Sequence, residues 1–145
     1  LSEEILYRGV LLRALEPKGR LFAALVTAGL FALTHFSQVI LGATVGEWLV
    51  GVLLMIPMAI GLAAVAFRLG SIWPLIVWHV AVDVTLPLVP TTIGPDATTM
   101  FVLGYLGFSL LVGLMGVVLL WQDRRAAIAG SQTEIAPDVV ERTSG

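Results

Sequence analysis

Leu1-Ser2-Glu3-Glu4-Ile5-Leu6-Tyr7-Arg8 sets two adjacent carboxylates and a guanidinium at the head of an otherwise apolar chain. In an α-helix Glu4 and Arg8 share one face four residues apart, with the acid N-terminal to the base, the favourable order for an ion pair. Glu3 falls about 100° round the helix from Glu4, so the two acids address different partners. An ordinary explanation exists: Ser2 as an N-cap, followed by acids in a first turn where the helix dipole favours negative charge. The rest of the chain decides between that explanation and a functional one.

Of 145 residues, 58% are hydrophobic and 12% charged, and the mean hydropathy is +0.98. A soluble domain carries roughly a quarter charged residues, so this composition is that of an integral membrane protein with room for one domain. The net charge of -2 and pI near 5.6 offer no basic footprint for nucleic acid. Cysteine is absent, which excludes disulfides, thiolate metal sites and a cysteine nucleophile. The chain starts at Leu1, directly on its motif, and reads as an excerpt of a longer protein with further helices upstream; Leu1 to Leu15 lacks the order of a signal peptide.

Hydropathy and breakers divide the chain into an all-α transmembrane bundle of about four crossing elements plus an N-terminal motif helix. Residues 1–16 form the motif helix, closed by Glu16-Pro17-Lys18-Gly19-Arg20. Leu21 to Leu41 is long enough to cross a bilayer and holds one ionisable residue, His35. After the loop Gly42 to Glu47, a second span is expected from Trp48 to Phe67, with Pro57 a potential kink. A turn at 68–71 leads into Ile72 to Val89, which carries His79 and Asp83. Thr98 to Trp121 is the last span, and its Ser109 and Gly113 form a small-xxx-small packing pair. The membrane core thus spans 1–121, and the polar residues 122–145 read as a disordered tail. Arg13, Lys18 and Arg20, then Arg68, then Arg124 and Arg125 all fall on one side if every span crosses, and the positive-inside rule makes that side, with the C-terminal tail, cytoplasmic.

Glu3, Glu4, Arg8, His35, His79 and Asp83 remain inside the apolar elements. Each is costly in hydrocarbon and marks a functional interior. Counted from the charged turns, Glu4 lies about 20 Å along its helix, His35 about 22 Å, His79 about 14 Å and Asp83 about 20 Å. Three elements therefore deliver these groups to one layer. Glu4 and Arg8, Phe31 and His35, and His79 and Asp83 are each four apart, so each helix presents a two-residue face. A carboxylate beside a histidine takes a proton from water, and a second histidine donates to the oxyanion formed at an attacked carbonyl.

These residues resemble a family's motifs. Glu3-Glu4-Ile5-Leu6-Tyr7-Arg8 is similar to EExxxR, Phe31-Ala32-Leu33-Thr34-His35 to FxxxH, and His79-Val80-Ala81-Val82-Asp83 to HxxxN or HxxxD. The chain resembles the CPBP family of intramembrane endopeptidases, which includes CAAX prenyl proteases and bacteriocin-processing or Abi proteins. The resemblance implies a helical fold around a cavity open to the cytoplasm, and cleavage of membrane-associated peptides or proteins. It implies that Glu3 with His35 activates water, that Glu4 and Arg8 support that site, and that His79 with Asp83 forms the oxyanion side. Asparagine is frequent where Asp83 stands; an ionised aspartate accepts hydrogen bonds but cannot donate one. A zinc site is the alternative to a metal-free glutamate site, but neither histidine belongs to an HExxH pair, and the metal-free reading is favoured, with no cofactor. Two other classes compete with a protease: a non-catalytic immunity or scaffold protein, and a proton-coupled transporter, against which stands the lack of an inverted repeat.

Overall fold

A computed structural model describes residues 2–85 and 95–143, all of whose regular structure is helical. The motif region, α1 (2–18), is compound: Ser2–Glu4 is α-helical, Ile5–Leu11 is a π-helix, Leu12–Leu15 returns to α, and Glu16–Lys18 closes as a 3₁₀ turn. Then follow α2 (Arg20–Thr34), α3 (Ser37–Ile40), α4 (Val45–Leu69), α5 (Trp73–Thr85) and α6 (Pro95–Thr143).

Local chemistry accounts for the boundaries. Pro17 opens the 3₁₀ turn, and Gly19 at φ 109 reverses the chain in a conformation disfavoured for residues with a Cβ. The expected span from Leu21 to Leu41 is present as Arg20–Ile40, with a two-residue turn at His35, whose Nδ1 lies 2.8 Å from the Phe31 carbonyl. That bond takes up a carbonyl of the last turn, and α3 follows as a separate short helix. The next helix begins at Val45 rather than Trp48 because Thr44 and Glu47 form a capping box: the Glu47 amide donates to Thr44 Oγ1 at 3.2 Å and the Thr44 amide to Glu47 Oε2 at 2.7 Å. The motif region departs from a plain α-helix at the π-helix, a form frequent at functional sites.

Three helices are long and apolar enough to cross a membrane: Arg20–Ile40 taken together, Val45–Leu69 and Thr99–Ala129. The element expected to cross from Ile72 to Val89 is described as a helix only over Trp73–Thr85, about 20 Å long and short of the hydrocarbon thickness; residues 86–89 lie outside the described residues. The chain is an integral membrane protein, and Leu33, Leu53 and Leu111 stand exposed on its apolar flanks. The last helix does not end at Trp121: its backbone stays helical through Thr143, and Ala126, Ala127 and Ala129 are strong helix formers.

Small residues bring the helices together. Ala23, Ala24, Ala28, Ala59, Ala63, Ala64 and Ala66 are buried beside Tyr7, Leu12, Phe67 and Leu120. Between α4 and α6 the backbones nearly touch: a Cβ built at Gly113 would lie 2.8 Å from Pro57 Cα, and one at Gly116 would lie 2.6 Å from Gly61 Cα. The Ser109 hydroxyl donates to the Leu54 carbonyl, in the stretch where Pro57 interrupts the ladder. Ser109 and Gly113 are thus a packing face, and α4 runs through Pro57 without ending.

An ionic network ties one end of the bundle. Asp123 pairs with Arg20 at 3.1 Å and Arg68 at 2.8 Å; Glu16 pairs with Arg20 at 3.0 Å and Arg13 at 3.3 Å. Arg13 also donates to the Ala66 carbonyl at 3.0 Å. The three basic turns separated in sequence therefore meet at one end.

Candidate active site

At the opposite pole of α1 from that network, Glu4 is fully buried, and its Oε1 lies 3.0 Å from Arg8 Nη1 and 2.8 Å from His79 Nδ1. A buried carboxylate is stable only with such partners. Arg8 Nη1 is close to the carboxylate but off the line of a hydrogen bond, and Glu4 Oε2 has no hydrogen-bond partner among the described residues. The pair therefore keeps spare hydrogen-bonding capacity inside the bundle. The Arg8 guanidinium also lies over the Phe31 ring, 4.8 Å from its centroid.

Phe31 anchors the second face. Its ring meets Tyr7 edge-on at 5.3 Å, and Tyr7 donates to Thr34 Oγ1 at 3.0 Å. The Phe31 carbonyl receives both Thr34 Oγ1 and His35 Nδ1 at 2.8 Å. A carbonyl only accepts, so His35 carries its proton on Nδ1 in this geometry, and a neutral ring leaves the Nε2 lone pair free. The His35 ring packs on Phe31 with centroids 4.6 Å apart.

His79 collects the acids. Besides Glu4 on Nδ1, its Nε2 lies 3.5 Å from Glu3 Oε2 and 3.6 Å from Asp83 Oδ1. Glu3 and Asp83 are 44% and 65% exposed, in contrast to the enclosed Glu4. The convergence of three carboxylates on one imidazole joins residues 75 positions apart.

Glu4, Arg8, Phe31, His35, His79 and Asp83 line a single cavity of about 140 Å³. Glu3 approaches it through His79. The structure thus gathers Glu3, Glu4, Arg8, His79 and Asp83 within ion-pair distance, with His35 on the same cavity; the described contact of Glu3 is to His79, whereas His35 is held by Phe31. The sequence reading missed Met55 and Met58 of α4, Trp78 of α5 and Tyr105 of α6, which are among the other residues lining the cavity. Tyr105 carried one available signal, a phenol inside an uncharged span. Among the described residues no group of three or more acidic or histidine side chains is arranged to hold a metal ion.

No curated protein and no solved structure matches the chain. The model of the family described as type II CAAX prenyl endopeptidase Rce1-like matches residues 1–85, more than half of the chain and the whole stretch holding the six polar residues. With its helical bundle and this polar cavity, the chain belongs to the Rce1-like family of type II CAAX prenyl endopeptidases.

Proposed function

We propose that this membrane protease hydrolyses a peptide bond of a membrane-associated protein or peptide with water activated by glutamate and histidine, without a metal. The observation that carries this reading is the convergence of Glu3, Glu4 and Asp83 on His79 at a cavity shared with His35. Glu3 is the base: half exposed, its carboxylate is open to a water and a substrate. His35, with Nδ1 engaged by Phe31, accepts from the same water through Nε2. As the water oxygen bonds to the carbonyl carbon, its proton passes to Glu3 and the carbonyl oxygen becomes an oxyanion.

His79, fixed by the buried Glu4, turns Nε2 toward that oxyanion and donates to it when protonated. Glu3 then returns the proton to the departing amine as the C–N bond breaks. Asp83 holds the imidazole rather than the oxyanion, because an ionised carboxylate has no proton to donate. Arg8 stands as the buried partner of Glu4 inside the bundle. The ionic end, with its excess of arginine and lysine, faces the cytoplasm.

The test is cleavage of a lipid-associated peptide library by the full-length protein and its Glu3→Gln variant, with and without a chelator. Removal of a general base lowers the rate by about 10²–10⁴-fold, so the variant is expected to fold and cut at least a hundredfold more slowly, and the chelator to have no effect. Equal rates for the two proteins refute the role of Glu3. Loss of activity in chelator, restored by zinc, refutes the metal-free mechanism.

A further inference from the structure

A second and larger cavity, about 810 Å³, opens at the ionic end, between the start of α2 and the last helix. Its volume is within the roughly 300–1,000 Å³ of ligand sites. Lys18, Arg20 and Arg124 stand on its rim, and Phe22, Leu25 and Leu120 line its apolar side. Glu16 and Asp123 also face it, but each is already held by two arginines, Glu16 by Arg13 and Arg20 and Asp123 by Arg20 and Arg68. Among the described residues Lys18 and Arg124 have no carboxylate partner, so the described rim carries net positive charge.

The apolar side has a direction. Phe22 and Leu25 are three residues apart on one face of α2, 46% and 50% exposed, and they lead away from the cations into a membrane-crossing segment. A soluble anion has no use for such a strip. An amphiphile with an anionic head and a hydrocarbon tail matches both parts, and basic residues at a membrane boundary attract anionic lipid.

We propose that this groove binds an anionic phospholipid, with the phosphodiester between Lys18 and Arg124 and one acyl chain along Phe22 and Leu25. The cations contribute charge-assisted hydrogen bonds to phosphate oxygens, with arginine able to engage two at once. The tail covers the exposed faces of Phe22 and Leu25.

Native mass spectrometry of the full-length protein, released from micelles holding equal amounts of phosphatidylglycerol and phosphatidylcholine, tests this without requiring cleavage. Each cation is expected to favour the anionic lipid roughly fivefold, so the wild type retains phosphatidylglycerol well above phosphatidylcholine. The Lys18→Gln/Arg124→Gln variant loses the preference, and each single variant loses part of it, which serves if the double variant does not fold. Equal retention of the two lipids by the wild type overturns the proposal, as does a preference unchanged in the folded variants. Abolition of the lipid adducts by millimolar inorganic phosphate overturns it in favour of a soluble anion.

Discussion

The near contact of α4 and α6 makes a prediction whose sign, and not only its size, tests the packing. Substituting Gly116→Ala places a Cβ 2.6 Å from Gly61 Cα, 2.9 Å from its nitrogen and 3.0 Å from the Ile60 carbonyl oxygen. All three are backbone atoms, so no flexible side chain can swing aside. Carbon atoms settle about 3.5–4.0 Å apart, so relief requires the helices to part by about 1 Å, and a gap of that order forfeits a quarter to a half of each facing dispersion contact. Overpacking of this kind costs about 1–3 kcal/mol. Alanine in a helix interior otherwise gains up to about 1 kcal/mol over glycine, leaving a net loss of up to about 2 kcal/mol and setting Gly116→Ala about 1–3 kcal/mol below an alanine with free space around it. Gly104 and Gly107 in the same helix have nothing within 4 Å of a built Cβ, so Gly104→Ala and Gly107→Ala are expected to be neutral or stabilising. Reversible unfolding of the full-length protein in detergent compares the three variants. A Gly116→Ala protein as stable as Gly104→Ala refutes the close approach of α4 and α6.

Other perturbations address the polar interior and the ionic end. Glu4→Gln removes the charge between Arg8 and His79 and leaves the guanidinium buried without its counter-ion, at an expected cost of about 3–5 kcal/mol in the same unfolding assay; a loss below 1 kcal/mol means that Glu4 is not the buried hub. Tyr7→Phe deletes the hydroxyl that donates to Thr34 while keeping the edge-on contact with Phe31, and is expected to cost about 1 kcal/mol, read as a shift of the unfolding midpoint. Asp123→Asn weakens two partly exposed ion pairs, and solvent screening limits the expected loss to about 1 kcal/mol, shrinking further in high salt; a loss that is insensitive to salt refutes an electrostatic origin.

Much of this architecture was legible in the chain. The apolar runs and the breakers at Pro17, Gly19 and Gly70 marked the helices, since each run must satisfy its backbone internally in lipid. The three motifs placed Glu4, His79 and Asp83 at one level, and Ser109 with Gly113 announced a close helix contact that proved to lie against Leu54 and Pro57. Thr44 and Glu47 could have announced the start of α4, because a capping box is a local pattern. The turn at His35 was not legible, since it depends on whether an imidazole bonds to the Phe31 carbonyl.

What the sequence by itself determined is whatever depends on near neighbours and on solvent: an all-helical membrane chain, helix ends set by proline and glycine, an ion pair between Glu4 and Arg8, and polar residues too costly to face lipid. Tertiary structure alone decided the partners of those residues. Glu3, Glu4 and Asp83 meet on His79, Phe31 holds His35, and Tyr105 lines the cavity, because these contacts depend on how α1, α2, α4, α5 and α6 rotate and approach. Depth along a helix follows from counting residues, whereas the facing of side chains follows from close contacts of glycine and alanine between helices, which no single helix contains.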